Sequence, residues 1–387
     1  MSDITPTFYE FFAGGGMARA GLGAGWTCMF ANEFDTKKGA IYNANWGEPS
    51  ALKLADVRTL ATADAPGVAD LIWASFPCQD LSLAGAGAGL KGDRSGTFWP
   101  FWGLIEGLIT EERAPKLIVL ENVYGMLTSH GGKDFAAICS AYAKAGYRFG
   151  ALIVDACHFV PQSRPRFFMI GVREDLVPQA LYLTSPGPSD LWHPKALQNA
   201  YGKLRGKIKE NWVWWRLAAP EPRTQKLSDL IEDQPLGVEW HTAAETAKLL
   251  KMMSPLNRKK VQAAKKSGQK MVGTIYKRTR RDEFGVKVQR AEIRFDDIAG
   301  CLRTPAGGSS RQVIMIVEGK SVRSRLISPR ETARLMGLPD DYMLPSRYNE
   351  AYHLTGDGVA VPVVRHLAQH IFEPVIFPQP VSKRAAA

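Results

Sequence analysis

The stretch TPTFYEFFAGGGMARAGLGAG, residues 5–25, contains the change of pattern that predicts the fold. A mostly apolar run of strand length enters three consecutive glycines, and a short helical segment closed by further glycines follows. A strand that leads into a helix through glycines lets backbone amides approach a ligand closely. The spacing does not match GxGxxG, because Arg19 stands five residues beyond Gly14. A dinucleotide-binding interpretation is therefore weak.

The same alternation of strands and helices continues to about residue 180. Further apolar runs of strand length are WTCMFANEF, LIWASFP, KLIVLENV, ALIVDAC and RFFMIGV. Near-continuous apolar strands between helices indicate a sheet covered on both faces, so we predict a doubly wound, Rossmann-like α/β sheet. Ligands of such sheets bind beyond the carboxyl ends of the strands. The glycines 14–16, Glu33, Cys78 and Glu121 all fall at that edge.

The regular alternation ends near residue 181, where a Pro- and Ser-rich stretch gives way to basic, irregular sequence. We predict a catalytic α/β domain at 1–184, a smaller inserted domain at 185–325, and a hinge with a C-terminal return at 326–387. In SPRETARLMG, Ser328 is a predicted N-cap and Pro329 the first helical residue. The tryptophans of NWVWWRL, which are Trp212, Trp214 and Trp215, are expected in the core of the smaller domain rather than in a stacking platform.

The formal net charge of +11 is concentrated in one block of the chain. Residues 195–294 hold 23 lysines and arginines against 10 acids, whereas the rest of the chain holds 26 against 28. Such a concentration indicates a surface that binds a polyanion, with a solvated basic face as the alternative.

Several classes of protein and site are disfavoured by the sequence. No charge-free run reaches the roughly 18–20 residues of a membrane span, since the most apolar segment, 98–110, carries Glu106. The N-terminus has neither a basic nor an apolar region, so we expect no secretory signal. Five widely spaced cysteines without CxxC or Cys/His zinc spacing predict reduced thiols in the cytoplasm and no metal site.

Individual residues at the predicted edge point to chemistry. Cys78 follows a proline that fixes the backbone and precedes polar residues, so we predict a nucleophile. Glu121 emerges from the apolar run KLIVLENV, where an unused acid is costly, and is a candidate proton donor. Arg164 and Arg166 alternate into another strand and are expected to share one face.

Glu33 lies about 20 residues beyond Gly14 at the end of the second strand. An acid at that place typically accepts hydrogen bonds from ribose hydroxyls. A nucleoside cofactor without a pyrophosphate fits both the acid and the glycine pattern, and S-adenosylmethionine is the obvious candidate.

Taken together, these segments resemble the ordered motif set of the DNA (cytosine-5) methyltransferases. The match covers about 1–180 and 295–387, in the family's order, with a variable target-recognition region between. The segments that carry it are FFAGGGM, ANEFD, SFPCQDLSLAG, LENV, VPQSRPRFFMIG, SPRETARLMGLPD and GDGVAVPV. The resemblance implies methylation of C5 of a specific cytosine in duplex DNA, with S-adenosylmethionine as cofactor.

The catalytic roles follow from the resemblance. It implies that the Cys78 thiolate adds to cytosine C6, so that C5 becomes nucleophilic and takes the methyl group. Glu121 would hold N3 and the exocyclic amine, while Arg166, with Arg164 beside it, would grip O2 and steady Glu121. The base would leave the helix stack to reach these groups.

The resemblance also implies the residues that hold cofactor and DNA. Cofactor residues would be the turn glycines Gly14 and Gly16, the adenine walls Phe12, Phe34 and Pro77, Glu33 at the ribose, Asp56 at the adenine amine, and Asp357 at the methionine ammonium. Asp357 departs from the family's asparagine, and Met17 replaces a glycine. DNA-binding residues would be Gln79, Ser82, Lys91 and Arg94 in a loop that closes over the base, and Lys277, Arg278, Arg280 and Arg281 in the basic block.

Three alternatives remain at this stage. The first is the same chemistry on RNA, as in tRNA cytosine-5 methyltransferases. The second is a DNA-binding module with inactive chemistry, and the third is an NAD oxidoreductase, against which the glycine pattern argues. For the DNA (cytosine-5) methyltransferase interpretation we expect a monomer in the cytoplasm at the nucleoid, with duplex DNA as partner, a cognate restriction endonuclease as a candidate partner, and no membrane contact.

Overall fold

The structure, a computed structural model, describes residues 5–47, 51–77, 95–282, 284–303 and 311–377. By internal contacts the chain divides into two compact units. Unit 1 comprises Met1–Val154, Pro165–Pro220 and Val363–Ala387, and unit 2 comprises Asp155–Arg164 and Glu221–Pro362. The long segment of unit 2 therefore begins at Glu221, whereas the sequence predicts an inserted domain from residue 185.

Unit 1 is built on a seven-stranded sheet. Its strands are β1 Thr7–Phe11, β2 Thr27–Glu33, β3 Leu52–Leu54, β4 Leu71–Ala74, β5 Leu117–Val123, β6 Tyr147–Asp155 and β7 Pro165–Arg173. They lie in the order β3-β2-β1-β4-β5-β7-β6. The pairs from β3 through β5 are parallel, and β7 is antiparallel to β5. The predicted doubly wound sheet is confirmed, because apolar strands such as β4 are buried on both faces.

Helices surround this sheet and a short two-stranded pair lies beside it. The helices of unit 1 in chain order are α1 Met17–Leu22, α2 Thr36–Trp46, α3 Phe98–Thr110, α4 Lys133–Lys144, α5 Val177–Ala180, α6 Lys195–Gly202 and α7 Gly206–Glu210. The pair consists of β8 Thr184–Ser185 and β9 Trp214–Trp215. Helix α2 begins where the Asp35 side chain accepts from the amides of Lys37 and Lys38. In the described residues no helix is long and apolar enough to cross a membrane.

The tryptophans of NWVWWRL are buried, but in the core of unit 1. Trp212 and Trp214 belong to the apolar cluster that includes Phe135 and Phe149. The expectation that they form the core of the smaller domain is therefore corrected. Because the segment up to Pro220 belongs to unit 1, six of the 23 basic residues of the 195–294 block lie there too.

Unit 2 contains a four-stranded antiparallel sheet in the order β11-β10-β12-β13. Its strands are β10 Met271–Arg281, β11 Lys287–Arg294, β12 Val313–Glu318 and β13 Ser321–Leu326. Its helices are α8 Leu227–Leu230, α9 Ala243–Lys251, α10 Pro255–Lys266, α11 Pro329–Arg334 and α12 Tyr348–Asp357. Apolar residues of α9 and α10 pack with the sheet to form its core.

The predicted helix start at Ser328 is present in unit 2. The Ser328 hydroxyl accepts from the Glu331 amide at 3.1 Å, and the Glu331 carboxylate accepts from the Ser328 amide at 2.7 Å. The chain then continues through α13 Val361–Leu367, a π-helical turn at Ala368–Phe372 and α14 Glu373–Ile376. Residues from Val363 onward belong to unit 1.

Candidate active site

The glycine turn after β1 combines a packed glycine with an open one. Gly14 and Gly16 have φ values of 58° and 78°, the left-handed region that favours glycine. A side chain at Gly16 would collide with the indole of Trp46, whose Nε1 donates to the Gly15 carbonyl at 3.3 Å. A side chain at Gly14 would meet no atom within 4 Å among the described residues. The turn is thus held from one side by Trp46, which the sequence analysis missed.

Glu33, at the end of β2, ties the glycine turn to its neighbouring strand. Its Oε2 accepts from the Gly14 amide at 2.7 Å and its Oε1 from the Asp35 amide at 2.9 Å. Each carboxylate oxygen has a second lone pair, so this arrangement still accommodates two hydroxyl donors. Phe34, the next residue, is 73% exposed and presents an aromatic ring beside this acid.

Other residues predicted at the cofactor are more dispersed. Phe12 has a positive φ of 57°, and its half-buried ring lies edge-on to Phe101. The Asp56 carboxylate caps a short turn and pairs with Arg58 at 3.3 Å, so an adenine amine would compete with that arginine. Pro77 is half-buried after β4, and Asp357 is an exposed residue at the end of α12 in unit 2.

Glu10 of β1 is a buried acid in unit 1. Its Oε1 accepts a long, 3.4 Å hydrogen bond from the Arg19 amide, and its Oε2 has no partner in the described residues. Burial, with repulsion from Glu33, raises the pKa of Glu10 to about 8. The Arg19 guanidinium, the cation nearest in sequence, instead bonds the Tyr42 hydroxyl and stacks on Trp46. Glu10 therefore holds its proton more tightly than an ordinary glutamic acid.

Glu121 and Arg166 are brought together at the carboxyl end of β5. Glu121 lies opposite Phe168 in the β5–β7 pair, so Arg166 is its diagonal neighbour on the same face. The Arg166 Nε lies 3.2 Å from Glu121 Oε1, with side chains 14% and 7% exposed. The pairing that the sequence motifs imply for these two residues is thus present in the geometry.

Asn122, the next residue, fixes the segment that leads towards Cys78. Its Nδ2 donates to the Phe76 carbonyl at 3.1 Å, and its Oδ1 accepts from the Val123 amide at 2.8 Å. No role was predicted for Asn122 from the sequence, although an amide residue that follows an acid at the end of a strand indicates a candidate site residue. The predicted residues Cys78, Gln79, Ser82, Lys91 and Arg94 lie outside the described residues.

Arg164 differs from the expectation that it shares a face with Arg166. Strand β7 begins at Pro165, so Arg164 precedes the strand and belongs to unit 2, whereas Arg166 belongs to unit 1. Its buried guanidinium donates to the carbonyls of residues 302, 356 and 358 at 3.1, 2.7 and 2.6 Å. Two of these carbonyls flank Asp357, so Arg164 orders the turn that carries that residue.

The predicted basic residues 277–281 all lie on β10. Lys277 is half-buried, and Arg278, Arg280 and Arg281 are exposed. Arg278 and Arg280 both pair with Glu292 of β11, at 3.4 and 2.6 Å. Within the described part of the chain, no group of three or more His, Cys, Asp or Glu residues is arranged to hold a metal.

Comparison with known sequences gives a consistent family. A sequence profile described as C-5 cytosine-specific DNA methylase matches residues 6–373. The chain is 26% identical to the Type II methyltransferase M.HhaI of Haemophilus parahaemolyticus over 366 residues, which are 94% of this chain and 93% of the relative. It is also 26% identical to the Type II methyltransferase M.HpaII of Haemophilus parainfluenzae over 385 residues, 95% of this chain and 89% of the relative.

Solved structures share the fold at lower identity. The chain is similar to S. pombe Dnmt2 methyltransferase with a TM-score of 0.61 and 17% identity, covering 96% of this chain and 99% of that one. It is similar to the Entamoeba histolytica methyltransferase EhMeth with a TM-score of 0.63 and 13% identity, at the same coverage. These likenesses establish the arrangement of the chain and add nothing about its substrate.

Proposed function

This chain belongs to the C-5 cytosine-specific DNA methylase family, enzymes that methylate cytosine C5 with S-adenosylmethionine, and we propose that it modifies a specific cytosine in duplex DNA through a covalent Cys78 adduct. The observation that carries the proposal is the Glu121–Arg166 pair at the carboxyl end of β5. Asn122, next to this pair, donates to the carbonyl of Phe76, which follows β4 and stands two residues before Cys78 in the sequence. Glu121 lies on β5, the parallel neighbour of β4, and in this proposal Cys78 acts beside it.

The proposed chemistry begins at the thiol. The Cys78 thiolate forms a bond to C6 of cytosine, and the ring electrons shift so that C5 becomes nucleophilic. The cofactor supplies the methyl group that bonds to C5. Loss of the C5 proton then restores the double bond and expels the Cys78 thiolate, so the free enzyme and 5-methylcytosine are regenerated.

Glu121 and Arg166 stabilise the ring while its aromaticity is lost. The Glu121 carboxyl is placed to hydrogen-bond N3 and the exocyclic amine, where charge changes as the adduct forms. Arg166 orients that carboxyl and is placed to donate to O2 of the base. Arg164, which bonds carbonyls on either side of Asp357, acts in this proposal as a positioning residue rather than a catalytic one.

The residues around the glycine turn fit the cofactor. S-adenosylmethionine is a cation with an aromatic base and two ribose hydroxyls. Gly14 leaves its side-chain direction open, Glu33 offers two carboxylate oxygens, and Phe34 presents an exposed ring. We assign the ribose to Glu33, the adenine walls to Phe12, Phe34 and Pro77, and more peripheral contacts to Asp56 and Asp357.

DNA is the partner, and the finer details of recognition are proposals. We assign phosphate contacts to Lys277, Arg278, Arg280 and Arg281, because exposed cations on one strand suit a polyanion. The target base is flipped out of the duplex, with Gln79, Ser82, Lys91 and Arg94 near it. Residues 185–325 serve target recognition in this proposal. Because relatives are named Type II methyltransferases, we propose a cognate restriction endonuclease as a candidate partner. We further propose that the protein is a monomer and acts at the nucleoid in the cytoplasm.

The test is methyl transfer by purified protein onto duplex DNA and tRNA, with labelled S-adenosylmethionine and bisulfite sequencing of the product. Wild type should label one DNA sequence context, and Cys78→Ala should lose transfer while it still binds DNA. On duplexes that carry 5-fluorocytosine at the target, wild type should be trapped as an adduct because the C5 proton cannot leave.

Cys157→Ala, which removes a half-buried thiol elsewhere, is the matched control and should be trapped like wild type. An adduct that forms equally well with Cys78→Ala would show that another group is the nucleophile. Labelling of tRNA in preference to DNA would replace the proposed substrate.

A further inference from the structure

In the described residues, strands β10 and β11 form a two-stranded ribbon. Strand β12 is seen to pair with β10 over Met271–Ile275, whereas β11 pairs with β10 from Thr274 to Arg281. Among the described residues from 277 to 290, the two strands therefore pair with each other. We call this segment, residues 277–290, the basic ribbon.

The turn at the end of the basic ribbon is fixed by one side chain. The Asp282 carboxylate accepts from the amides of Phe284 and Val286, at 3.0 and 2.9 Å. The Asp282 amide donates to the Val286 carbonyl, and Gly285 takes the positive φ of 79° that the turn requires. The described residues of this turn, Asp282 and Phe284 to Val286, are therefore held by hydrogen bonds to Asp282.

This ordered turn holds apolar side chains in solvent. Phe284 is 82% exposed and Val286 is 58% exposed. An aromatic side chain that a structured turn keeps out of any core forgoes a burial energy of about 2 kcal/mol. Such an arrangement is typical of a side chain whose contacts are made with a partner.

The charges of the basic ribbon identify the chemistry of that partner. Its sequence has six lysines and arginines against two acids. In the register, Arg281 lies directly opposite Lys287, and Arg278 directly opposite Arg290, although Arg278 also pairs with Glu292 just beyond the ribbon. Like charges opposite each other destabilise a strand pair, and a polyanion along the ribbon relieves that repulsion. An aromatic ring framed by cations suits a polyanion that also has stackable faces, which is nucleic acid.

We infer that Phe284 is a DNA-contacting wedge, which inserts at a base step while cations of the basic ribbon bind the flanking phosphates. This inference rests on the proposed function, because it takes duplex DNA as the partner. Apolar wedges of this kind partly unstack a base step and bend the duplex. A two-stranded ribbon is also narrow enough to enter the major groove.

The test compares Phe284→Ala with the matched control Val286→Ala, which truncates the neighbouring exposed side chain. Affinity for a target duplex is measured by fluorescence anisotropy between 50 and 200 mM salt, the range over which phosphate contacts separate from others. Phe284→Ala should weaken binding about tenfold at every salt concentration, because stacking does not release counterions. Val286→Ala should change affinity less than about twofold, and Phe284→Trp should restore it.

A second readout locates the wedge on the DNA. 2-Aminopurine placed at successive positions of the duplex should brighten at one step with wild type and Phe284→Trp, and remain quenched with Phe284→Ala. The salt slope should fall for Arg281→Ala with Lys287→Ala but not for Phe284→Ala.

Wild-type affinity and fluorescence for Phe284→Ala would overturn the inference. Sedimentation would reveal the alternative occupant: a wild-type dimer that Phe284→Ala dissociates, with unchanged DNA affinity, would assign the turn to a second copy of this chain. Failure of the proposed function is seen separately, as a wild type that transfers no methyl group to DNA. The binding measurements decide the role of Phe284 in either case.

Discussion

Each unit of the molecule contains a glutamate–arginine pair, and the two pairs differ in burial and in geometry. In unit 2, Arg325 and Glu331 are completely buried and joined by two bonds of 2.5 and 2.7 Å. The Glu331 oxygens also accept from the amides of Glu232 and Ser328, each at 2.7 Å. In unit 1, Arg166 reaches Glu121 through Nε at 3.2 Å, and both side chains retain some exposure.

The difference shows how to separate a structural pair from a chemical one. Each oxygen of Glu331 receives one guanidinium and one amide donor, so the carboxylate is saturated and enclosed by protein. Glu121 instead lies at the carboxyl edge of a parallel sheet, where ligands of this fold bind, and keeps a surface for them. We therefore expect the loss of Glu121 to affect chemistry and the loss of Glu331 to affect folding.

The largest expected effect is that of Glu121→Gln. The amide keeps the shape of the side chain but can neither donate nor accept a proton as a carboxyl does. Methyl transfer at saturating DNA and cofactor should fall about 10³- to 10⁴-fold, the upper range for a general acid–base group. Single-turnover kinetics measure this loss, and urea unfolding should show a smaller loss of stability than that of Glu331→Gln, because Glu121 and Arg166 both retain some exposure.

Glu331→Gln is the matched control in the other pair. It leaves Arg325 buried without its counter-charge, which costs about 3–5 kcal/mol of unfolding free energy. The turnover per folded molecule should stay near that of wild type. Loss of turnover in folded Glu331→Gln, or full activity of Glu121→Gln, would remove the distinction between the two pairs.

The apolar runs of the sequence predicted the sheet and singled out Glu121, while the family resemblance implied its pairing with Arg166. Strands such as Leu117–Val123 carry uninterrupted apolar runs, and a charged residue at the end of such a run is conspicuous. The position of Arg164 was not predictable, because its acceptor carbonyls lie 138 to 194 residues further along the chain. The contact of Trp46 with the glycine turn is likewise tertiary, and helical spacing alone does not reveal it.

Phe284 and the tryptophans show the same limit. The charge of residues 195–294 predicted a basic surface, but the cross-strand register and the exposed turn of residues 277–290 appear only in the structure. Conversely, Trp212 and Trp214 stand within the basic block of the sequence, yet their burial places that segment in the core of unit 1. The charge of a segment can be counted from its sequence, whereas the burial of its side chains depends on residues distant in the sequence that pack against them.

Glu10 extends the comparison to a buried carboxyl to which, among the described residues, no guanidinium donates a hydrogen bond; its contact with Arg19 is through the backbone amide. Because its pKa is raised to about 8 in the folded protein from 4.5, the folded state keeps a proton that the unfolded chain loses. The contribution of Glu10 to the free energy of unfolding is therefore most favourable below pH 4.5 and is lost as the pH rises to 8. Glu10→Gln, which stays neutral, should gain about 2–4 kcal/mol relative to wild type between pH 4.5 and 8.

Urea unfolding at a series of pH values measures this difference between Glu10→Gln and wild type. Glu106→Gln changes an exposed acid of α3 in the same unit and should follow wild type at each pH. A constant difference between Glu10→Gln and wild type would mean that Glu10 is already ionised when the protein folds.

The smallest expected effect concerns Glu292 of β11. This acid lies just beyond the basic ribbon and pairs with Arg278 and Arg280, which belong to the ribbon. The hydrogen bond from Arg280 lowers the pKa of Glu292, so the carboxylate is ionised at neutral pH and neutralises part of the ribbon. Glu292→Gln should tighten DNA binding about two- to fivefold at low salt and steepen the salt slope, because two cations become available to phosphates. Glu318→Gln makes the same charge change at the end of β12, where β10 begins, and should have a smaller effect. Equal affinities for the two variants would indicate that only net charge matters and that the ribbon does not face DNA.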